Sequence, residues 1–195
     1  MYPKAFSESH LVARHQYSTA EIEEFITRLG NNDPGLTHLF LGKQESLTDE
    51  HIVKLMGALV NNISLRELCL SDHKINDETA GVIASFLINN RVSALRDLSL
   101  HDNQITDAGA KILATGLAAT SFPLRHVDLS GNSFGVAGAA AILCAAAENS
   151  LLFLVNVAYT GRGDHSPSVE MQEIQQRINE LLVGRPWGGS FSLRP

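Results

Sequence analysis

The sequence predicts an α/β solenoid, in which short parallel strands form a concave sheet and helices cover the convex side. A leucine-rich strand pattern recurs at near-equal steps, and an amphipathic helix pattern follows each of the first four strands. A unit of this length cannot bury its apolar side alone, so consecutive units are expected to stack on one continuous core. The strand patterns start at Leu36, Leu65, Leu95, Leu124 and Leu152.

Each strand pattern has apolar residues at alternate positions, as Leu98 and Leu100 have in the third unit. Alternate residues of a strand point to opposite sides of a sheet. The leucines are therefore expected to face the core, and the residues between them to face the concave side.

Each helix pattern has apolar residues at positions i, i+3, i+4 and i+7, which form one buried stripe. Thr48, Asn76 and Thr106 precede three of these patterns and are predicted to cap the helices. Gly135 has no side chain with which to cap the fourth, whose start is therefore predicted to be weaker. The apolar stripes begin at Ile22, Ile52, Ala80, Ala110 and Ala139.

Four segments are predicted along the chain. An N-terminal cap helix from a degenerate repeat occupies 1–35, repeats occupy 36–160, a C-terminal cap helix occupies 161–183, and an irregular tail occupies 184–195. The cap helices are expected to cover the open ends of the core. The tail contains Trp187 and Phe191 without an acidic residue, and is predicted either to pack against the last helix or to act as a recognition or export signal.

The pattern L-x-x-L-x-L-x-x-N-x-I and the helix tract "TDAGAKILATGL" resemble the leucine-rich repeat family over about residues 18 to 160. The units are similar to the ribonuclease-inhibitor-like subclass, to cytosolic nucleotide-binding leucine-rich receptors and to bacterial leucine-rich effectors. The resemblance implies a right-handed solenoid of about five units. It also implies that Asn103 and Asn132 bond backbone groups in the turn after each strand. The residues in place of asparagine are His73, Thr160, and Gln44 or Glu45.

The concave side is predicted to bind a protein. Its middle is acidic, its ends carry Phe40 and Tyr159, and a column of Arg66, Arg96 and Arg125 borders it. Aromatic anchors supply binding energy and charges set register, so a basic partner fits. In the alternative interpretation the arginines pair with acidic neighbours and only keep the solenoid soluble. The predicted contact residues are His38, Phe40, Glu67, Asp72, Asp97, His101, Asp102, His126, Asp128 and Tyr159.

Several other function classes are not favoured. A net charge of −6 disfavours a nucleic-acid surface, and residues 135–147 form an apolar run too short to span a membrane. No phosphate loop, nucleophile motif or metal-ligand spacing is present, so no catalytic residue, metal or cofactor is predicted. The N-terminal residues lack a secretory signal pattern, which predicts a cytoplasmic protein. Arg162-Gly163-Asp164 is interpreted as part of a flexible connection.

The predicted function is therefore non-catalytic protein binding on the concave face by a monomer. The resemblance to bacterial effectors adds the hypothesis of a protein secreted into host cytosol. A second hypothesis is a regulator of a small GTPase or of actin, because the GTPase-activating protein for Ran and the tropomodulins use similar repeats. An enzyme is the least favoured alternative.

Overall fold

A computed structural model describes residues 15–157, in which five helices and five strands alternate along the chain. Tyr159, the turn at Thr160, Arg162-Gly163-Asp164, the last predicted helix and the tail lie outside the described residues. The elements are α1 (Thr19–Gly30), β1 (His38–Phe40), α2 (Asp49–Leu59), β2 (Glu67–Cys69), α3 (Asp77–Asn89), β3 (Asp97–Ser99), α4 (Asp107–Ala119), β4 (His126–Asp128), α5 (Val136–Glu148) and β5 (Leu154–Asn156).

The five strands form one parallel sheet in the order of the chain, β1 to β5. Each strand pairs with the next without a shift, so equivalent residues of successive repeats are neighbours. This arrangement confirms the predicted α/β solenoid of stacked β-α units. The middle residues of the strands form one row of Leu39, Leu68, Leu98, Val127 and Val155.

A single apolar core runs through the array between the sheet and the helices. The five middle strand residues are at most 3% exposed, and they share the core with the predicted helix stripes. Phe122 and Phe134 are the largest fully buried side chains among residues 15–157. No helix among residues 15–157 is long and apolar enough to cross a membrane.

Buried amides stabilise the turns that leave the strands, as the resemblance implied. Asn103 Oδ1 accepts from the backbone N–H groups of His73 and Ile75, and Asn103 Nδ2 donates to the carbonyls of Leu70, Leu100 and His101. Asn132 makes equivalent bonds one repeat later. Each asparagine thus satisfies backbone groups that would otherwise be buried without a partner.

The first repeat uses Gln44, and not Glu45, at the asparagine position. Gln44 is buried, its Oε1 accepts from the Tyr17 N–H, and its Nε2 donates to the carbonyls of His15 and Gly42. Glu45 is exposed. The longer glutamine therefore joins the array to the chain that precedes α1.

A second row of asparagines, which the sequence analysis missed, stabilises the turns after the helices. Asn62, Asn90 and Asn149 are buried, and each Nδ2 donates to a carbonyl at the end of the preceding repeat's helix. Each Oδ1 accepts from backbone N–H groups of its own turn. These bonds fix the turns that lead into the next strand.

The helix starts are capped within and between repeats. Thr48, Asn76 and Thr106 cap α2, α3 and α4, as predicted. Gly135 provides no side-chain cap. Asp107 of the preceding repeat replaces it, because its Oδ1 accepts from the N–H groups of Gly135 and Gly138. The start of α5 is therefore capped by a neighbouring helix, and a missing local cap does not leave its amide groups unbonded.

Candidate protein-binding face

The side chains that alternate with the core residues form two rows on the concave face. The first row is His38, Glu67, Asp97, His126 and Leu154, and the second is Phe40, Cys69, Ser99, Asp128 and Asn156. Parallel strands lie about 4.8 Å apart, so each row places side chains of five repeats, most of them polar, next to one another.

Accessibility differs strongly across this face. Glu67 is only 4% exposed, although the sequence analysis placed it among the contact residues. Phe40, Asp97, His101, His126 and Asp128 are partly buried, and His38 is exposed. The most accessible acidic groups are Asp72 and Asp102, whose side chains are 53% and 60% exposed. These two acids lie at the strand ends, which makes that edge the most accessible acidic part of the predicted site.

Ion pairs link neighbouring strands in the first row. The His126 Nδ1 contacts the Asp97 Oδ1, and the His38 Nε2 lies 3.9 Å from the Glu67 Oε2. The row therefore contains two acid–histidine pairs.

Asp128 and Asp102 are held by contacts within their own turns, and Asp72 by a contact with the turn of the preceding repeat. The Asp128 Oδ1 accepts from the N–H and the hydroxyl of Ser130. The His101 Nδ1 lies 3.0 Å from the Asp102 Oδ2, and the Lys43 Nζ lies 3.7 Å from the Asp72 Oδ2. These contacts orient the carboxylates.

The third residue after each of the strands β1 to β4 adopts a left-handed backbone conformation. Lys43, Asp72, Asp102 and Gly131 occupy equivalent positions with φ between 54° and 69°. A side chain at Gly131 would also meet the Asp102 carboxylate, because its Cβ would lie 2.0 Å from the Asp102 Oδ1. The turn therefore fixes where the two exposed acids stand.

The arginine column borders the face but does not neutralise it. Arg66, Arg96 and Arg125 are exposed, and none of the ion pairs among residues 15–157 includes them. Asp97 contacts His126 instead. The alternative in which these arginines pair with Glu67 and Asp97 is therefore wrong for the structure described.

His73 occupies the asparagine position of the second repeat, and its surroundings change its pKa. Burial lowers the pKa of His73, and this outweighs the opposing effects of the bond to the Leu41 carbonyl and the charge of Asp72. The folded chain therefore holds a neutral imidazole where other repeats hold an amide.

His73→Asn is expected to make stability less dependent on pH. The unfolded chain binds a proton at His73 near pH 6.5, but the folded chain binds it only at a lower pH. The stability due to neutral His73 is thus present above about pH 6.5 and is lost as the pH falls below it. Urea denaturation between pH 7.5 and 5 should show a steeper loss for the wild type than for His73→Asn. Parallel pH curves would contradict the prediction.

No group of three or more His, Cys, Asp or Glu residues within 15–157 could hold a metal ion. Cys69 is buried on the strand face, where its sulfur lies 3.1 Å from the Ser71 hydroxyl, whereas Cys144 is exposed on α5. The two cysteines are separate thiols.

Sequence and structure comparisons agree with this geometry. A family model described as "Leucine Rich repeat" matches residues 61–84, 94–114 and 120–143. The chain therefore has the fold of a leucine-rich repeat solenoid. No curated protein matches its sequence. The narrower similarity to the ribonuclease-inhibitor-like subclass stays a prediction.

Two solved structures have a similar fold. The leiomodin-1 actin-binding site 2 superposes with a TM-score of 0.63 and 21% identity, and the match covers 82% of this chain and 90% of that one. The tropomodulin C-terminal domain of Caenorhabditis elegans gives 0.61 and 20%, and covers 86% and 98%. At this level of identity the likeness concerns the fold alone.

Proposed function

We propose that this leucine-rich repeat solenoid is a non-catalytic module that binds a protein partner on its concave face. The observation that carries the proposal is the unshifted register of five strands, which places polar side chains of successive repeats in straight rows. An extended row of charges can fix the register of a bound protein. It does not form the water-excluding pocket that a small ligand or a catalytic reaction requires.

The charge of the face favours a basic partner. Asp97 and Asp128 lie on the strands, and Asp72 and Asp102 stand exposed at their ends. Partly buried acids can form charge-assisted hydrogen bonds with arginine or lysine of a partner. The partly buried Phe40 offers an apolar contact at one end of the rows.

The test is the double variant Asp72→Lys and Asp102→Lys. Both residues have a left-handed backbone conformation that Lys43 already adopts in the first repeat, so lysine is compatible with the turn. We expect at least tenfold weaker capture of the concave-face partner from cytosolic lysate, because two attractive charges become repulsive. Captured proteins are identified by mass spectrometry.

The matched control is Glu24→Lys with Glu78→Lys, which makes the same change of charge at exposed helix positions away from this face. Capture by the control should equal that of the wild type, and thermal unfolding should show that both variants are folded. Equal loss in both variants, or no loss in either, would contradict binding through the concave face.

A role in actin binding is the second candidate, favoured by the likeness to a leiomodin-1 site whose name states that it binds actin. Its test is co-sedimentation with filamentous actin and the rate of actin polymerisation at micromolar concentrations of the chain. Absence of any effect in both assays would exclude this role. A regulator of a small GTPase and a bacterial effector in host cytosol stay predictions.

A further inference from the structure

The exposed apolar side chains are concentrated along the edge where the helices lead into the strands. Six of the eight large hydrophobic residues that are exposed among residues 15–157 lie at this edge, in or beside its turns, and the other two lie within α2 and α4. The six are Val60, Ile63, Ile88, Val92, Leu151 and Phe153, with exposures between 39% and 63%. We call these residues, together with Arg66, Arg91, Arg96 and Arg125, the apolar–basic edge.

Three of the four arginines of this edge, Arg66, Arg96 and Arg125, form a regular row. The Arg96 N–H donates to the Arg66 carbonyl, the Arg125 N–H to the Arg96 carbonyl, and the Phe153 N–H to the Arg125 carbonyl, each at 2.8 Å. Their Cα positions therefore lie about 4.8 Å apart, which gives a row about 14 Å long. The row ends on an exposed aromatic side chain.

The edge is basic in a chain whose net charge is negative. Segments 60–66, 88–96 and 118–125 contain four arginines and no aspartate or glutamate. Glu148 lies at the end of α5 in the last described repeat, and Asp33 in the first is engaged by Arg28 at 2.7 Å. None of the ion pairs described within 15–157 includes the four arginines. The charges of the edge are therefore open to an acidic partner.

The turns that carry the apolar residues are held in fixed positions. The Ile63 N–H donates to the Asn32 Oδ1 of the preceding repeat, and the Val92 N–H donates to the Asn90 Oδ1. The Leu151 N–H donates likewise to the Asn149 Oδ1. Little conformational entropy is lost when such turns are covered, which favours binding.

We propose that the apolar–basic edge binds an acidic amphipathic helix of a partner protein. Carboxylates three or four residues apart on a helix are 5 to 6 Å apart, close to the spacing of the arginine row. About ten helical residues span 14 Å. The apolar stripe of such a helix covers Ile63, Val92 and Leu151. Every cation of the edge is an arginine, whose forked guanidinium can form two hydrogen bonds with one carboxylate. The diffuse negative charge of a lipid surface does not require this geometry, so a carboxylate-bearing partner is favoured.

The probe is a fluorescent helical peptide of about 14 residues, with leucine on one face and flanking glutamates. A second peptide has lysine in place of glutamate, and a third has the first composition in scrambled order. Binding to the full chain is measured by fluorescence anisotropy. We expect the acidic amphipathic peptide to bind at least tenfold more tightly than either of the others.

Two variants test the residues themselves. Arg66→Ala with Arg96→Ala and Arg125→Ala, and separately Ile63→Ser with Val92→Ser, should each weaken binding of the acidic peptide at least tenfold. The matched controls are Lys54→Ala with Lys74→Ala and Lys111→Ala, and Val53→Ser with Ile112→Ser, which change the same number of exposed residues away from the edge. The controls should bind as the wild type does.

Any one of four results would overturn the proposal. The first three are absence of peptide binding, equal affinity for the scrambled peptide, and an affinity for the acidic peptide that the edge variants leave unchanged. A fourth is arginine-dependent sedimentation with phosphatidylserine vesicles but no binding of the peptide, which would assign the edge to a membrane surface. The edge and the concave face carry different residues, so failure of one proposal leaves the other intact.

Discussion

Asn103→Ala is expected to lower the free energy of unfolding by about 3 kcal/mol or more, which corresponds to a fall in melting temperature of roughly 6 to 12 °C. The side chain forms five hydrogen bonds with backbone groups of two consecutive repeats. Alanine leaves these donors and acceptors buried without a partner, and each such group costs about 1 to 3 kcal/mol. Urea denaturation monitored by circular dichroism measures the loss.

Two further variants show whether the hydrogen bonds cause this loss. Gln104→Ala changes the exposed neighbour in the same turn, and is expected to alter the free energy of unfolding by no more than about 0.5 kcal/mol. Asn103→Asp keeps the size of the side chain but turns an anion towards three carbonyls, so it should destabilise at least as much as alanine. A stable aspartate variant would contradict the hydrogen-bond explanation.

The repeat architecture was predictable because two independent sequence patterns indicate it. One is the alternation of leucines in each strand, and the other is the apolar stripe of each helix. Burial of Leu98 and Leu113 follows from two different periodicities that point to the same core. Each repeat then fixes its neighbour through the ladder of strands. A wrong prediction for one repeat therefore does not change the register predicted for the others.

Contacts between repeats were not predictable from one unit at a time. The sequence of the fourth repeat predicts an uncapped helix start at Gly135, but Asp107 of the preceding repeat caps this helix. Gln44 takes the asparagine position, because its longer side chain reaches the Tyr17 N–H. Both depend on the distance between stacked units, which spacing in the sequence does not give.

Accessibility of the candidate site was only partly predictable, for a related reason. Strand alternation places Glu67 on the polar side and Asp102 lies in the turn after the next strand, but the pattern does not give the exposure of either side chain. Glu67 is 4% exposed and the side chain of Asp102 is 60% exposed. The arginine column of the apolar–basic edge was recognised from the repeat, but its apolar residues were missed, because most of them lie in turns where no hydrophobic periodicity connects one repeat with the next.

Gly116→Leu is expected to lower the free energy of unfolding by about 2 to 3 kcal/mol, because α4 packs closely on α3 at this point. A Cβ at Gly116 would lie 3.0 Å from the Ala84 Cα and 3.1 Å from the Ala84 carbonyl oxygen. These atoms belong to the backbone of a neighbouring helix, so they cannot move aside without separating the two repeats. Denaturant midpoints at an unchanged m-value measure the loss.

Gly81→Ala and Gly57→Ala are the matched controls, and they should act in the opposite direction. Both glycines lie within helices, and a Cβ at either would meet nothing within 4 Å. Alanine is favoured over glycine in a helix interior, so each change should raise the free energy of unfolding by about 0.5 to 1 kcal/mol. If Gly116→Leu were as stable as the wild type, the stacking distance between the third and fourth helices would be larger than described. The close contact of Gly116 with Ala84 would then not set the spacing between these repeats.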